Sequence, residues 1–109
     1  MIHWPAIIKY HGDDELLYVS SQQAWQQDTE VSTVAYQAED YLIDNEGRLY
    51  QLRQQQHGQV EILATDNVIP LDEFIQLVRR HAVAHQQCCI DKIMFRNISE
   101  GMQMVASLQ

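Results

Sequence analysis

The chain has 109 residues, a net charge of −8, an apolar share of 46% and two cysteines. That length predicts a single domain, residues 1–109, with one modest core. No apolar run approaches the ~18 residues of a membrane span, residues 1–20 lack the pattern of a secretory signal, and no basic stripe is present to neutralise phosphates, so membrane and nucleic-acid roles are excluded.

The charge is uneven. Residues 1–47 hold one base, Lys9, against nine acids, while residues 48–109 hold six bases and six acids. An acidic half would favour a basic protein partner, but the plainer reading is a solvated acidic face that keeps the protein soluble. The two cysteines, Cys88 and Cys89, are neighbours. A bridge between them would be strained, so a reduced, cytoplasmic setting is expected.

Residues 4–10 read as a first strand, with β-branched Ile7 and Ile8 and with Pro5 at its start. His11-Gly12-Asp13-Asp14 is a turn, and Leu16-Leu17-Tyr18-Val19 returns as the second strand of a hairpin. Ser20 or Ser21 caps a short helix from Gln22 to about Gln27, which packing of Trp25 must hold. Thr29 to Ala38 has no clear period and reads as a loop, with a possible short strand near Val31–Val34.

Tyr41-Leu42-Ile43 and Leu49-Tyr50-Gln51-Leu52 flank Asp44-Asn45-Glu46-Gly47, the clearest hairpin signal in the chain. Gly47 suits a left-handed position closing the loop. Residues 54–59 are a polar turn. Val60, Ile62 and Ala64 then alternate with Glu61, Leu63 and Thr65, so residues 59–65 form a further strand, ended by Asp66-Asn67.

Leu71, Phe74, Ile75, Val78, Ala82 and His85 recur at three- and four-residue steps, which predicts the main helix from about Pro70 to Gln87. Pro70 suits its first turn, and Asp72 and Glu73 match the helix dipole. Residues 88–95 read as either a short strand or a connector. Asn97 begins a last helix, with a cap three residues before Glu100 and with Ile98, Met102 and Val105 on one face. Gly101 inside it costs about 1 kcal/mol against Ala, which points to close packing on a neighbour. Strands followed by helices predict an α+β fold: an antiparallel sheet of hairpins over about residues 4–65, with a short helix in the N-terminal half and two C-terminal helices packed on one face.

Few side chains form chemical constellations. Asp13, Asp14 and Glu15, with Trp25 nearby in sequence, are the candidate partner-binding residues. Seven aromatics in the acidic half (Trp4, Tyr10, Tyr18, Trp25, Tyr36, Tyr41 and Tyr50) would strengthen a protein-binding face if exposed, and are otherwise core. Asp13-Asp14-Glu15 and Asp44-x-Glu46 also resemble acid–base or hard-cation groups, but acids in turns serve the backbone. His81, His85 and Cys88 fall at i, i+4 and i+7. On a continuous helix they share a face that suits zinc, with Cys89, His57 or Asp91 as a fourth ligand. A histidine near a helix C-terminus is favourable without any metal, and His85 lies beside the apolar stripe. A Cys88 nucleophile activated by His85 is the enzymatic version. A helix C-terminus disfavours its thiolate.

The expected function is therefore a non-enzymatic interaction domain without a cofactor, binding a basic protein or a second copy of itself; the alternative is a zinc-binding or metal-sensing protein. Trp4-Pro5-Ala6-Ile7-Ile8-Lys9-Tyr10, then Gly12-Asp13-Asp14-Glu15-Leu16 and Tyr18, resemble the start of a small bacterial family of uncharacterised single-domain proteins. Tyr41-Leu42-Ile43-Asp44 with Gly47 and Ile98-Ser99-Glu100-Gly101 are similar to later parts of it. The resemblance implies a bacterial single-domain protein and assigns no role to any residue.

Overall fold

The computed structural model describes residues 2–28, 32, 35–54, 58–87 and 90–108. Strands β1 (Ala6–Lys9), β2 (Leu16–Val19), β3 (Tyr41–Ile43), β4 (Arg48–Gln54) and β5 (Val60–Val68) form one antiparallel sheet in the order β2-β1-β3-β4-β5. Helix α1 spans Gln22–Gln27, α2 spans Leu71–Ala84 and α3 spans Ile98–Ser107. The fold is α+β, as the element order predicts.

Alternation along the strands creates two cores rather than one. Ile7, Leu16 and Ile43 project to one face and pack with Phe74, Val78, Met102 and Val105 of α2 and α3. Ile8, Leu42, Tyr50 and Leu52 project to the other face and pack with Trp25 of α1. The C-terminal helices thus share a face as expected, while the short helix covers the reverse side. Central strands buried on both faces explain the runs Ala6-Ile7-Ile8 and Leu42-Ile43, all fully buried.

β3 is only three residues long, and two buried aspartates hold it at its ends. Asp40 accepts hydrogen bonds from the backbone N–H of His11 (2.7 Å) and Gln37 (2.8 Å). Asp44 accepts four: from the N–H of His3 (3.2 Å), Glu46 (2.9 Å) and Arg48 (3.0 Å), and from the Tyr50 hydroxyl (3.0 Å). Both segments flanking β1 are thereby tied to β3. Burial, then the hydrogen bond and charge of Asp44, push the Tyr50 hydroxyl up to about 12. Gly47 takes φ +85°, the left-handed position its place in the turn requires.

Two boundaries differ from the sequence reading by three residues. β5 runs on through Asp66-Asn67 to Val68, because the ladder bulges: Arg48 pairs with Val68 and Tyr50 with Ala64. Thr65 Oγ1 fills the bulge, donating to the Leu49 carbonyl (2.6 Å) and accepting from the Asn67 N–H (3.2 Å). α2 stops at Ala84 rather than Gln87. Gln86 adopts φ +60°, its N–H bonds the Val83 carbonyl (2.9 Å), and the Gln87 N–H bonds the Ala82 carbonyl (3.0 Å). This is a Schellman ending with glutamine where glycine is usual. Ile90–Lys92 is a 3-10 turn, so the connector alternative holds there. Arg79 ties it to α2 by donating to the carbonyls of Ile93 (3.0 Å) and Asp91 (3.2 Å). The possible strand at Val31–Val34 lies outside the described residues apart from Ser32.

Both predicted caps form: the Ser21 hydroxyl accepts from the Ala24 N–H (3.0 Å) and the Asn97 side chain from the Glu100 N–H (2.9 Å). Gly101 sits where α3 meets α2. A Cβ there would lie 2.6 Å from Phe74 and 2.8 Å from Phe95. Helix propensity would gain about 1 kcal/mol from Gly101→Ala, but overpacking costs about 1–3 kcal/mol. The two rings are themselves buried and meet edge-on at 5.7 Å, which limits how far either can yield. Gly101→Ala is expected to destabilise, measured as a lower urea midpoint. Asp44→Ala is expected to cost more, about 3 kcal/mol or above, because it strands several donors at once; an unchanged midpoint would refute the clamp.

Candidate functional site

The β1–β2 turn gathers the exposed charge. Asp13, Asp14 and Glu15 are all exposed. The turn is built by the Asp13 side chain, which accepts from the Glu15 N–H (3.0 Å), and by Lys9, whose ammonium donates to the carbonyls of Tyr10 and Asp13. Arg80 of α2 stands 4.0 Å from Asp14, an exposed pair of little energetic weight. Beside the turn opens a cleft of about 210 Å³, lined by Tyr10, Asp13, Glu15, Leu16, Leu17 and His85.

Trp25 does not join this site. It is only 6% exposed and packs in the core of the opposite face, because it is the one large apolar side chain α1 has to anchor itself. Of the seven aromatics, Trp25 and Tyr50 are buried and the other five are half-buried. The aromatic residues serve the sheet first.

His81 and His85 do come together, with ring centroids 4.4 Å apart. His81 is fully buried, and its Nδ1 accepts the Leu16 N–H (2.9 Å). That bond fixes the tautomer, with the proton on Nε2, and pins α2 to the start of β2. α2 ends at Ala84 with His85 as its C-cap, so the helical face carries His81 and closes at His85. Cys88, Cys89 and His57 lie outside the described residues. Asp91 lies in the 3-10 turn, where its carbonyl serves Arg79. Among the described residues, no group of three or more His, Cys, Asp or Glu side chains is arranged to hold a metal ion. Asp44 belongs to the clamp described above, which is a structural use of the Asp44-x-Glu46 pair.

A second cleft, of about 240 Å³, opens across β3 to β5 beside Tyr41 and Leu49, with Glu39 and Thr65 on its walls. Tyr41 is half-buried; burial raises its hydroxyl pKa first, the nearby Glu73 raises it further, and Arg80 opposes them. No pattern in the sequence marks this cleft, because its walls come from segments that meet only through sheet pairing.

Five antiparallel strands, two C-terminal helices on one face and a Trp-anchored helix on the other define an α+β sheet domain. The family model DUF4144, a protein structure with unknown function, matches residues 4–105, and the chain belongs to that family. A protein from Shewanella amazonensis, solved by NMR, has a similar fold: TM-score 0.70, 22% identity, covering 100% of this chain and 91% of that one. Comparison with curated proteins finds no match. No helix among the described residues is long and apolar enough to cross a membrane.

Burial lowers the His81 pKa below its ordinary 6.5, His85 lowers it further and Glu15 pulls the other way. The unfolded chain therefore takes up a proton first as pH falls, so the stability held by neutral His81 is complete above about 6.5 and is lost on acidification toward the lower folded-state value. Thermal melts between about pH 7.5 and 5 should show this decline, and His81→Gln should flatten that part of it while lowering stability at every pH. Parallel wild-type and variant profiles would count against the assignment.

Proposed function

We propose that this chain is a non-enzymatic protein-interaction domain of the bacterial cytoplasm, recognising a basic partner through the β1–β2 turn. One observation carries the reading: Asp13, Asp14 and Glu15 are adjacent, exposed and set beside a recess with apolar walls. Three carboxylates face two bases, Lys9, whose ammonium donates to the Tyr10 and Asp13 carbonyls, and Arg80, which reaches Asp14, so the local balance stays negative. Such a field steers a positively charged partner and rejects an acidic one. A second copy of the chain would oppose like charges at this surface, so the partner is a different protein. Trp25 has no part in the contact. The cytoplasmic setting rests on the adjacent cysteines.

The test is affinity capture from the native host, with wild type and the Asp13→Asn/Asp14→Asn/Glu15→Gln variant side by side. The expected result is a basic protein retained by wild type and lost from the variant, with the loss mimicked by raised salt. Equal capture by both would overturn the reading.

A further inference from the structure

The two edges of the sheet are unlike. β2 is four residues long, α1 and α3 pack against it, and its Leu16 N–H is taken by His81. β5 is nine residues long, and among the described residues β4 is its one strand partner. An edge strand turns alternate N–H and C=O groups away from its neighbour, which makes it a template for a further strand. Folded chains blunt such edges with lysine, proline, a bulge or a cover. β5 holds no lysine and no proline. Its bulge lies at residues 65–67, between the pairs Tyr50–Ala64 and Arg48–Val68. Val60–Ala64 is left as regular ladder, and Glu61 is its single charge, 3.8 Å from Arg53 of β4.

Charge and side-chain pattern both select a second copy of the chain for this edge. β4 and β5 carry Arg48 and Arg53 against Glu61 and Asp66, which cancel. The acidic turn belongs to the other edge. β2 and β5 are four strand spacings apart, about 19 Å, well beyond the ~8 Å over which charge acts at physiological salt. A copy repelled at the acidic turn therefore meets no net charge at β5. Turned antiparallel about Ile62, the segment is complementary to itself. Ile62 meets Ile62 of the second copy, Val60 meets its Ala64, and Glu61 meets its Leu63, so no like charges stand directly opposite. Val60 and Ile62 lie on the face that packs with Trp25, and the pairing continues that apolar layer. Each Glu61 keeps its own Arg53.

We propose that β5 pairs antiparallel with β5 of a second copy over Val60–Ala64, joining two five-stranded sheets into one. A contact of this size belongs to the weak class of interfaces, with a dissociation constant of about 10–100 µM. The acidic turns then stand at the two far ends of the joined sheet, both open to a partner.

The experiment is sedimentation equilibrium of the full chain from about 5 µM to about 1 mM, joined to amide hydrogen exchange at both ends of that range. The expected result is a mass rising from one chain to two, with exchange slowed at Val60–Ala64. Raised salt should strengthen the dimer, since it screens the −8 charge of each chain. Ala64→Lys, at an exposed position, should weaken it about tenfold or more, although it reduces the net charge. Gln103→Lys, the same change in charge at an exposed position of α3, should not. A single-chain mass at every concentration, a dimer that Ala64→Lys leaves as tight as wild type, or slowed exchange confined to other residues would each overturn the pairing. Should Ala64→Lys fail to fold, the wild-type exchange pattern decides.

Discussion

The fold depends on holding a three-residue strand in the middle of its sheet. β3 has few ladder bonds of its own, yet β1 and β4 both pair with it. Pairing β1 with β3 closes a loop of some thirty residues, at an entropic cost that local contacts do not repay. Asp40 and Asp44 supply what the short strand lacks. Each stands at one end of β3 and hydrogen-bonds to backbone flanking β1, at His11 and at His3. The register is set as much by these carboxylates as by the strand. A slip of one residue would break both clamps and would exchange the two apolar faces.

With that register in place, the rest follows from alternation. Ile7 and Ile43 offer a surface to α2 and α3, while Ile8 and Leu42 offer one to Trp25. The strands, both caps, the Gly47 turn and the close approach at Gly101 were legible because each is decided by residues a few positions apart. The side taken by α1 was not legible. Six residues with one large apolar side chain can anchor to either face, and only the direction in which Ser20-Ser21 leave β2 decides it. The extension of β5 was hidden for a similar reason. Asp66 and Asn67 have the composition of a turn, and it takes Thr65 bridging to Leu49 across the ladder to keep them in a strand.

The end of α2 shows how one backbone angle alters a chemical reading. Glutamine-rich sequence carries no stop signal, so the helical period reads on to Gln87 and places Cys88 one further turn along the histidine face. The left-handed turn at Gln86 ends that face at His85. Within the candidate constellation the described residues include His81 and His85, which the structure brings together, and His81 has a structural task, accepting the Leu16 N–H. The acidic turn was legible as a cluster. The second cleft was not, since Glu39, Tyr41 and Thr65 become neighbours only after three strands pair.

The acidic half of the chain therefore does two separable things. Asp40 and Asp44 are buried and spend their charge on backbone donors, where a neutral side chain would satisfy fewer of them. Asp13, Asp14, Glu15 and Glu39 stay at the surface, at the end of the sheet that the Asp40 clamp organises. A formal count of charge cannot separate these uses, because the same residue type serves both. Burial does separate them. What remains exposed is smaller than the sequence suggests but more concentrated, and it borders two recesses rather than a flat solvated face. That concentration is the physical ground for reading the charge as recognition as well as solubility: a dispersed negative surface repels and solvates, whereas carboxylates clustered at the rim of a cleft with apolar walls offer a partner both charge and contact.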